Sequence, residues 1–461
     1  MLTRTVDRIL IDHFKISKTA LLIEGARQIG KTFSIRQFGK KFKTYIEINF
    51  IEQPVAISLF KDLSNTKDLL ARLSLFTKQK LIKRDTLIFF DEVQICPEVI
   101  TYINFLVDEG SYNYILSGSL LGIEINDLRS VPVGYLTIKR MFPLTFREFA
   151  LNLGLNSSIL ENLETSFKEK KPVDDFIHKK MMELFRVYLV VGGMPAAVNR
   201  YIETNNLNEV IDIQNQIVNL YKKDITQYDK NNKLAIAQIF ELIAPQLNSQ
   251  NKRFIIKDIK SGVKFDRYEN SFLWLKDAGF ALPVYNVETP KIPLKLSKSR
   301  SLFKLFMSDV GLLASEYSQG IQLKIISGDD KLNYGAIFEN YIAQELTACE
   351  HDLYYYNNKK RGELDFLIEY DGEVLPIEYD GEVLPIEVKS GKDYKVHRAL
   401  SNIMDCGEFN LNRALIFNNS NLKVEGKLTY APIYMAMFLK QEINDEDSIY
   451  KIDLSELNKR F

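Results

Sequence analysis

The sequence predicts an α/β protein built from several domains, and three observations carry that expectation. Short apolar runs alternate with helix-like segments up to about Phe149, a long helical stretch follows, and a second alternation begins near Asn333. With 461 residues and ~100–200 residues per domain, two to four domains are expected. In the first region the apolar runs are 20–24 (ALLIE), 43–50, 86–90 and 112–117, with helical character between them, as over 98–109. Such runs separated by helices are the pattern of parallel strands covered on both faces.

Residues 155–245 read as helical, with Lys and Glu on the polar faces and a break at Gly192-Gly193. Segments 232–247 and 267–278 carry apolar side chains at helical spacing, and the second stops at Gly279, a C-cap residue. Strands are expected at 280–286 and 301–307, and helix, helix, two strands is the outline of a winged helix. Beyond Asn333 the pattern gives a helix over 335–349 and strands over 353–357, 363–369 and 382–389. A helix near His397 and strands over 412–418 and 428–437 follow. The segment YDGEVLPIE occurs twice in tandem, at 370–378 and 379–387. Nine residues are too few for a solenoid unit, so this is a local duplication.

Hydrophobic residues at 46%, charged residues at 26% and a formal net charge of +0 describe a soluble globular chain and argue against a histone-like electrostatic binder, while leaving room for a local basic face. Cys96, Cys349 and Cys406 lie far apart without a CxxC pair or a Cys/His cluster, which predicts a reducing compartment and no zinc site. The N-terminus lacks the apolar centre of a signal peptide, and no run reaches the ~18 apolar residues of a membrane span. The expectation is a cytoplasmic protein without a membrane partner.

The segment GARQIGKT at 25–32 fits G-x-x-x-x-G-K-[ST] with an apolar strand before it and a helix after it. Glycines there let backbone N–H groups cradle phosphate oxygens, and the helix N-terminus adds its dipole. The expected ATP-binding residues are Gly25, Ala26, Arg27, Gln28, Ile29, Gly30, Lys31, Thr32 and Phe33. Lys31 would reach the β- and γ-phosphates, and Thr32 would ligate Mg²⁺. TLIFFDE at 86–92 is an apolar strand ending in two acids: Asp91 would hold Mg²⁺ through water, and Glu92 would act on the attacking water as general base or orienter. Lys31 and Glu92 are therefore the catalytic candidates. Gln94, Ser117 and Ser119 are candidate sensors of the γ-phosphate, the two serines also fitting an ordinary strand-end turn. Arg129, Arg140 and Arg147 could serve as arginine fingers or as surface arginines.

With these motifs the chain resembles the prokaryotic AAA-type, STAND-like ATP-binding proteins that carry a winged helix and a C-terminal restriction-endonuclease-like domain of unknown function. The matching segments run in order: GARQIGKT, FFDEVQ (89–94), LSGSLLG (116–122), FPLTFREF (142–149), VGGMPAAV (191–198), YKKDI (221–225), LKDAGF (275–280), MSDVGLL (307–313), GAIFEN (335–340) and IEVKSGK (386–392). The resemblance implies a P-loop AAA-type core over 1–150, a helical lid over 151–228, a winged helix over 229–325 and a PD-(D/E)xK-like α/β domain over 326–461. It implies ATP binding with slow turnover in a nucleotide-controlled switch. The GGMP segment resembles the lid motif of this group and also fits a helix–helix turn. Many members carry Gly-Arg before the FPL segment; here Gly134 is followed by Tyr135, so no arginine is carried over.

In the C-terminal region the resemblance points to Glu339 on the leading helix, Asp365 in ELDFLIEY, and Glu387 and Lys389 in PIEVKSG. In restriction-type nucleases such acids hold Mg²⁺ while the lysine helps position water, and Glu-x-Lys places both side chains on one face of a strand. The duplication leaves two outcomes. The first copy is extruded, keeping Asp365 beside Glu387, or it inserts as an extra strand and parts them by roughly 9–10 Å; extrusion is favoured because it preserves the strand's neighbours. The functional expectation is a Mg²⁺-dependent ATPase switch with double-stranded DNA as partner. The rivals are an ATP-dependent nuclease of defence or repair and a non-hydrolysing scaffold for a protein partner or a homo-oligomer. Residues 251–268, basic with interleaved aromatics, suit phosphate contacts or a solvated helical face.

Overall fold

The computed structural model describes residues 1–440 apart from 64, 119–133, 229–232, 250, 263, 319, 330–332, 371–381, 392–394, 396 and 410. The chain opens with α1 (Thr5–Ile16), β1 (Ala20–Glu24), α2 (Lys31–Gly39), β2 (Thr44–Asn49), α3 (Thr66–Thr77), β3 (Thr86–Asp91), α4 (Glu98–Glu109), β4 (Asn113–Gly118) and β5 (Leu136–Arg140). The five strands form one parallel sheet in the order β2-β3-β4-β1-β5. The strand period of two divides its side chains between two cores. Leu21, Ile23, Leu87, Phe89 and Ile115 enter one, and Leu22, Ile46, Ile88, Phe90 and Leu116 the other. The runs at 20–24, 43–50, 86–90 and 112–117 are the expected strands. The edge strand β5 escaped sequence reading because its burial is incomplete and LTIKR shows no apolar run.

Helices follow: α5 (Phe146–Asn152), α6 (Ser157–Lys168), α7 (Asp175–Val191), α8 (Pro195–Thr204), α9 (Leu207–Tyr228), α10 (Lys233–Leu247) and α11 (Glu269–Asp277). Then come β6 (Ala281–Val287), β7 (Lys298–Met307), α12 (Val310–Ser315), α13 (Ile321–Ser327), α14 (Gly335–Ala348), β8 (Tyr354–Asn358), β9 (Gly362–Tyr370), β10 (Glu382–Val388), α15 (Arg398–Met404), β11 (Ala414–Asn418), β12 (Lys423–Glu425) and β13 (Leu428–Pro432). The two helices and the hairpin expected between 229 and 325 are present, but β6 also pairs in parallel with β8. The second sheet is therefore eight-stranded, β12-β13-β11-β10-β9-β8-β6-β7, and runs unbroken across the boundary expected near 325. Among the described residues between 251 and 268 the helical structure is two short 3₁₀ turns, Ile256–Asp258 and Phe265–Arg267, in place of a helical face. Its aromatics Phe254, Phe265 and Tyr268 belong to or pack against the core. The strand expected over 428–437 ends at Pro432 and continues as the buried 3₁₀ turn Ile433–Phe438.

β9 pairs directly with β10, Phe366 opposite Ile386 and Tyr370 opposite Glu382. No strand of the first YDGEVLPIE copy stands between them, as the extrusion outcome requires; most of that copy lies outside the described residues.

One buried junction ties the sheets together. Tyr188 donates to Leu144 O at 2.5 Å, and Gln344 donates to the Tyr188 hydroxyl at 2.8 Å. Phe146 N–H donates to Glu345 at 2.7 Å, and Gly193 N–H donates to Asp309 at 2.6 Å. Asp309 also caps α12 through Leu312 N–H at 3.0 Å. The Gly192-Gly193 pair is demanded by this packing. Gly192 has φ +69°, a Cβ there would lie 2.2 Å from Asp309 Oδ1, and one on Gly193 would lie 2.1 Å from Leu144 O. GGMP is thus a helix–helix turn whose glycines let three segments meet.

Candidate functional site: the phosphate loop and its acids

β1 and β3 lie one strand apart, separated by β4, and deliver the phosphate loop and the Asp91-Glu92 pair to the same sheet edge. Ligands of open α/β sheets bind outside such carboxyl ends. Gly25 (φ +146°), Gln28 (φ +65°) and Gly30 (φ +93°) have positive φ, which bends the loop ahead of α2. A Cβ on Gly25 would lie 2.3 Å from Met141 O, so the first glycine is required by the chain behind the loop.

Lys31 Nζ donates to Gly25 O and Ala26 O, each at 2.7 Å. Burial lowers its pKa to about 8 against the opposing pull of Glu92 and Asp91. Thr32 Oγ1 and Asn49 Nδ2 each donate to Asp91 Oδ2 at 3.0 Å. Ser117 Oγ donates to the other carboxylate oxygen, and Glu92 N–H reaches it at 3.1 Å. Burial raises the Asp91 pKa, while the hydroxyls of Ser117 and Thr32 work against that rise. Glu92, in the left-handed region at φ +57°, turns away from the strand, and Gln94 Nε2 donates to its Oε2 at 2.5 Å.

Lys31, Thr32 and Glu92 border a cleft of about 940 Å³. Arg27, Gln28, Gly30, Lys31, Thr32, Phe33 and Glu92 line it, as do Pro195, Ala196 and Asn199 of α8 and Leu220 of α9. Of the other expected ATP-binding residues, Ile29 is buried in the core, while Gly25 and Ala26 face a second cavity of about 390 Å³ behind the loop. Gln94 and Ser117 do not line the cleft. At 7% and 0% exposure they are buried and hydrogen-bond to Glu92 and Asp91. Ser119 and Arg129 lie outside the described residues. Arg140 pairs with Glu24 at 2.5 Å and lines the cavity behind the loop with Gly25 and Ala26, and Arg147 pairs with Glu164 at 2.9 Å; neither lines the cleft.

Sequence reasoning missed Asn49, Arg4 and the α8 residues. Arg4 donates to Ile29 O at 2.9 Å, bracing the loop from α1. Asn49 ends a strand beside Asp91, and only the pairing of β2 with β3 reveals it. Pro195 and Ala196 sit within the VGGMPAAV segment, so that motif was the available signal for the roof of the cleft. Asp224, in YKKDI of α9, pairs with Arg27 at 2.6 Å and is 2% exposed at its side chain. The Tyr221 hydroxyl donates to Arg27 O at 3.1 Å. Two contacts thus join the variable part of the loop to the helical layer.

In the C-terminal sheet Glu339, Asp365, Glu387 and Lys389 also come together. Lys389 Nζ lies 2.7 Å from Glu387 Oε1, and Val388 N–H donates to Asp365 Oδ2 at 2.9 Å. Lys304 reaches Glu339 at 3.4 Å and Asp365 at 3.7 Å. Among the described residues no group of three His, Cys, Asp or Glu is placed to hold a metal ion.

Comparison with known families agrees with the phosphate-site geometry. The AAA domain model matches residues 17–150. Two domains of unknown function, DUF8612 and DUF4143, match residues 182–321 and 334–435. Residues 17–150 are thus an AAA-type P-loop domain, the fold of nucleotide-binding ATPases. Comparison with curated proteins gives no match. Among solved structures, a Walker-type ATPase of Pyrococcus abyssi is 13% identical, covering 68% of this chain and 95% of its own, with TM-score 0.42. RuvB of Thermotoga maritima is 14% identical over 66% and 92%, with TM-score 0.28. A STAND protein with a tetratricopeptide repeat sensor from Pyrococcus horikoshii is 12% identical over 76% and 49%, with TM-score 0.26. No helix among the described residues is long and apolar enough to cross a membrane.

Proposed function

We propose that the chain is a Mg²⁺-dependent ATPase switch, with the cleft at the phosphate loop as its working site. The carrying observation is the convergence of Lys31, Thr32 and Glu92 on a cleft that helices α8 and α9 roof, with Asp91 bonded to Thr32. Thr32 Oγ1 and Asp91 Oδ2 are 3.0 Å apart. They fit a divalent ion held by the hydroxyl directly and by the carboxylate through water. Such an ion would neutralise charge on the β- and γ-phosphates. Lys31, released from the carbonyls of Gly25 and Ala26, would turn to the phosphates. Glu92, steadied by Gln94, would orient the attacking water or take its proton.

Nucleotide state would pass outward through Arg27. A phosphate beside that guanidinium competes with Asp224 for it, and Asp224 belongs to the helix that roofs the cleft. The 229–325 unit reads as a winged helix and the 326–461 unit as restriction-endonuclease-like. Double-stranded DNA is the proposed partner because Lys257, Lys260, Lys264 and Arg267 are exposed along one segment of the former. The test is ATP turnover by the full chain with Mg²⁺, with and without double-stranded DNA, beside Glu92→Gln. Turnover that rises with DNA and vanishes in the variant upholds the proposal; turnover unaffected by the substitution overturns it.

A further inference from the structure

The C-terminal acids are surrounded by lysines in a way that their sequence motif does not announce. Lys304, on β7, is 1% exposed. Its Nζ lies 2.7 Å from Glu363 Oε1, 3.4 Å from Glu339 Oε2 and 3.7 Å from Asp365 Oδ1. Lys252 pairs with the other oxygen of Glu339. The two lysines arrive together, because Arg253, next to Lys252, bridges to Lys304 through the backbone. With Lys389 beside Glu387, three lysines face the four acids Glu339, Glu363, Asp365 and Glu387.

Mg²⁺ requires oxygens at about 2.0–2.1 Å in an octahedron and retains several waters. An ammonium already placed among Glu339, Glu363 and Asp365 excludes that arrangement. Nor can it simply swing aside. Lys304 belongs to a strand held by β6, and β6 is paired to β8 in the same sheet as the acids. Displacing Lys304 would leave its charge buried, at a cost of several kcal/mol.

We propose that the Lys304 ammonium stands permanently where a nuclease metal would sit. The cluster is then a metal-independent ion-pair centre that fastens the β6–β7 hairpin and the Lys252 segment to the C-terminal α/β unit. It carries out no metal-dependent phosphodiester cleavage. The inference is independent of the ATPase reading, since it concerns a different sheet.

The test titrates Mn²⁺ into the nucleotide-free full chain and follows the electron paramagnetic resonance signal of the free ion. The wild type is expected to show no site tighter than about 1 mM that depends on Asp365. Lys304→Ala, which takes away the ammonium and opens space between the acids, is expected to gain a Mn²⁺ site that a further Asp365→Asn removes. A wild-type site lost on Asp365→Asn overturns the proposal. Should Lys304→Ala fail to fold, wild-type melting in Mn²⁺ against EDTA decides alone. An unchanged midpoint upholds the inference, and a rise abolished by Asp365→Asn sinks it.

Discussion

The phosphate cleft and the C-terminal cluster are assembled from the same residue types, buried acids with a lysine near them, yet their lysines differ in what they bond. Lys31 donates to two main-chain carbonyls of its own loop, so the acids nearby are held by neutral donors, Thr32, Asn49, Ser117 and Gln94. Lys304, Lys252 and Lys389 bond directly to the acids. In the first region negative charge is kept ready for a cation that comes from outside; in the second the cation is part of the chain. The difference shows that an acid–lysine motif acquires its chemistry from where the ammonium rests, which spacing along the sequence does not encode.

The comparison is broken most severely at Glu92. Glu92→Gln should lower ATP turnover by roughly 10²–10⁴-fold while ATP still binds, because it removes the group acting on water and leaves the loop intact. Single-turnover kinetics beside equilibrium binding separates the two effects. A matching substitution in the other region should act on stability alone. Glu339→Gln withdraws a buried charge from two lysines and should cost about 3–5 kcal/mol in chemical denaturation, with the turnover of the remaining folded protein unchanged.

A third buried acid sharpens the contrast by separating burial from pairing. Glu345 accepts Phe146 N–H at 2.7 Å and has no ion-pair partner among the described residues. Burial raises its pKa from 4.5 to about 8. The folded chain therefore holds this proton more tightly than the unfolded chain, and the associated stability is complete below pH 4.5 and lost as the pH rises towards about 8. Glu345→Gln should flatten that decline, a change on the order of 5 kcal/mol between the ends of the range, read from denaturation at several pH values. The smallest effect concerns communication. Asp224→Asn weakens the tie from Arg27 to α9 and should slow turnover roughly tenfold, about 1.4 kcal/mol, with ATP affinity little changed. A loss of affinity equal to the loss of rate would make the pair a binding contact instead.

What the sequence made legible was local. GARQIGKT and TLIFFDE are each contiguous, and each sits at a strand end, so strand, loop and acid could be placed together from pattern alone. The central strands were legible because they are buried on both faces; β5, at the sheet edge, was not. Gln94 and Ser117 were found by position, but their bonds to Glu92 and Asp91 show only in the packed strand ends. Lys304 was invisible because its partners lie at least 35 positions away along the chain, on α14 and β9. The expected boundary near 325 hid the shared sheet that brings them together. The tandem copy could be resolved only by register, which pairs β9 with the strand of the second copy.

The central claim, that the phosphate loop is where this chain binds its nucleotide, is tested most directly by equilibrium titration of ATP with Mg²⁺ into the wild type and Lys31→Ala. Saturable binding is expected in the wild type and its loss in the variant, with the variant's melting curve still cooperative. Undiminished affinity in Lys31→Ala would contradict it and move the nucleotide to another part of the molecule.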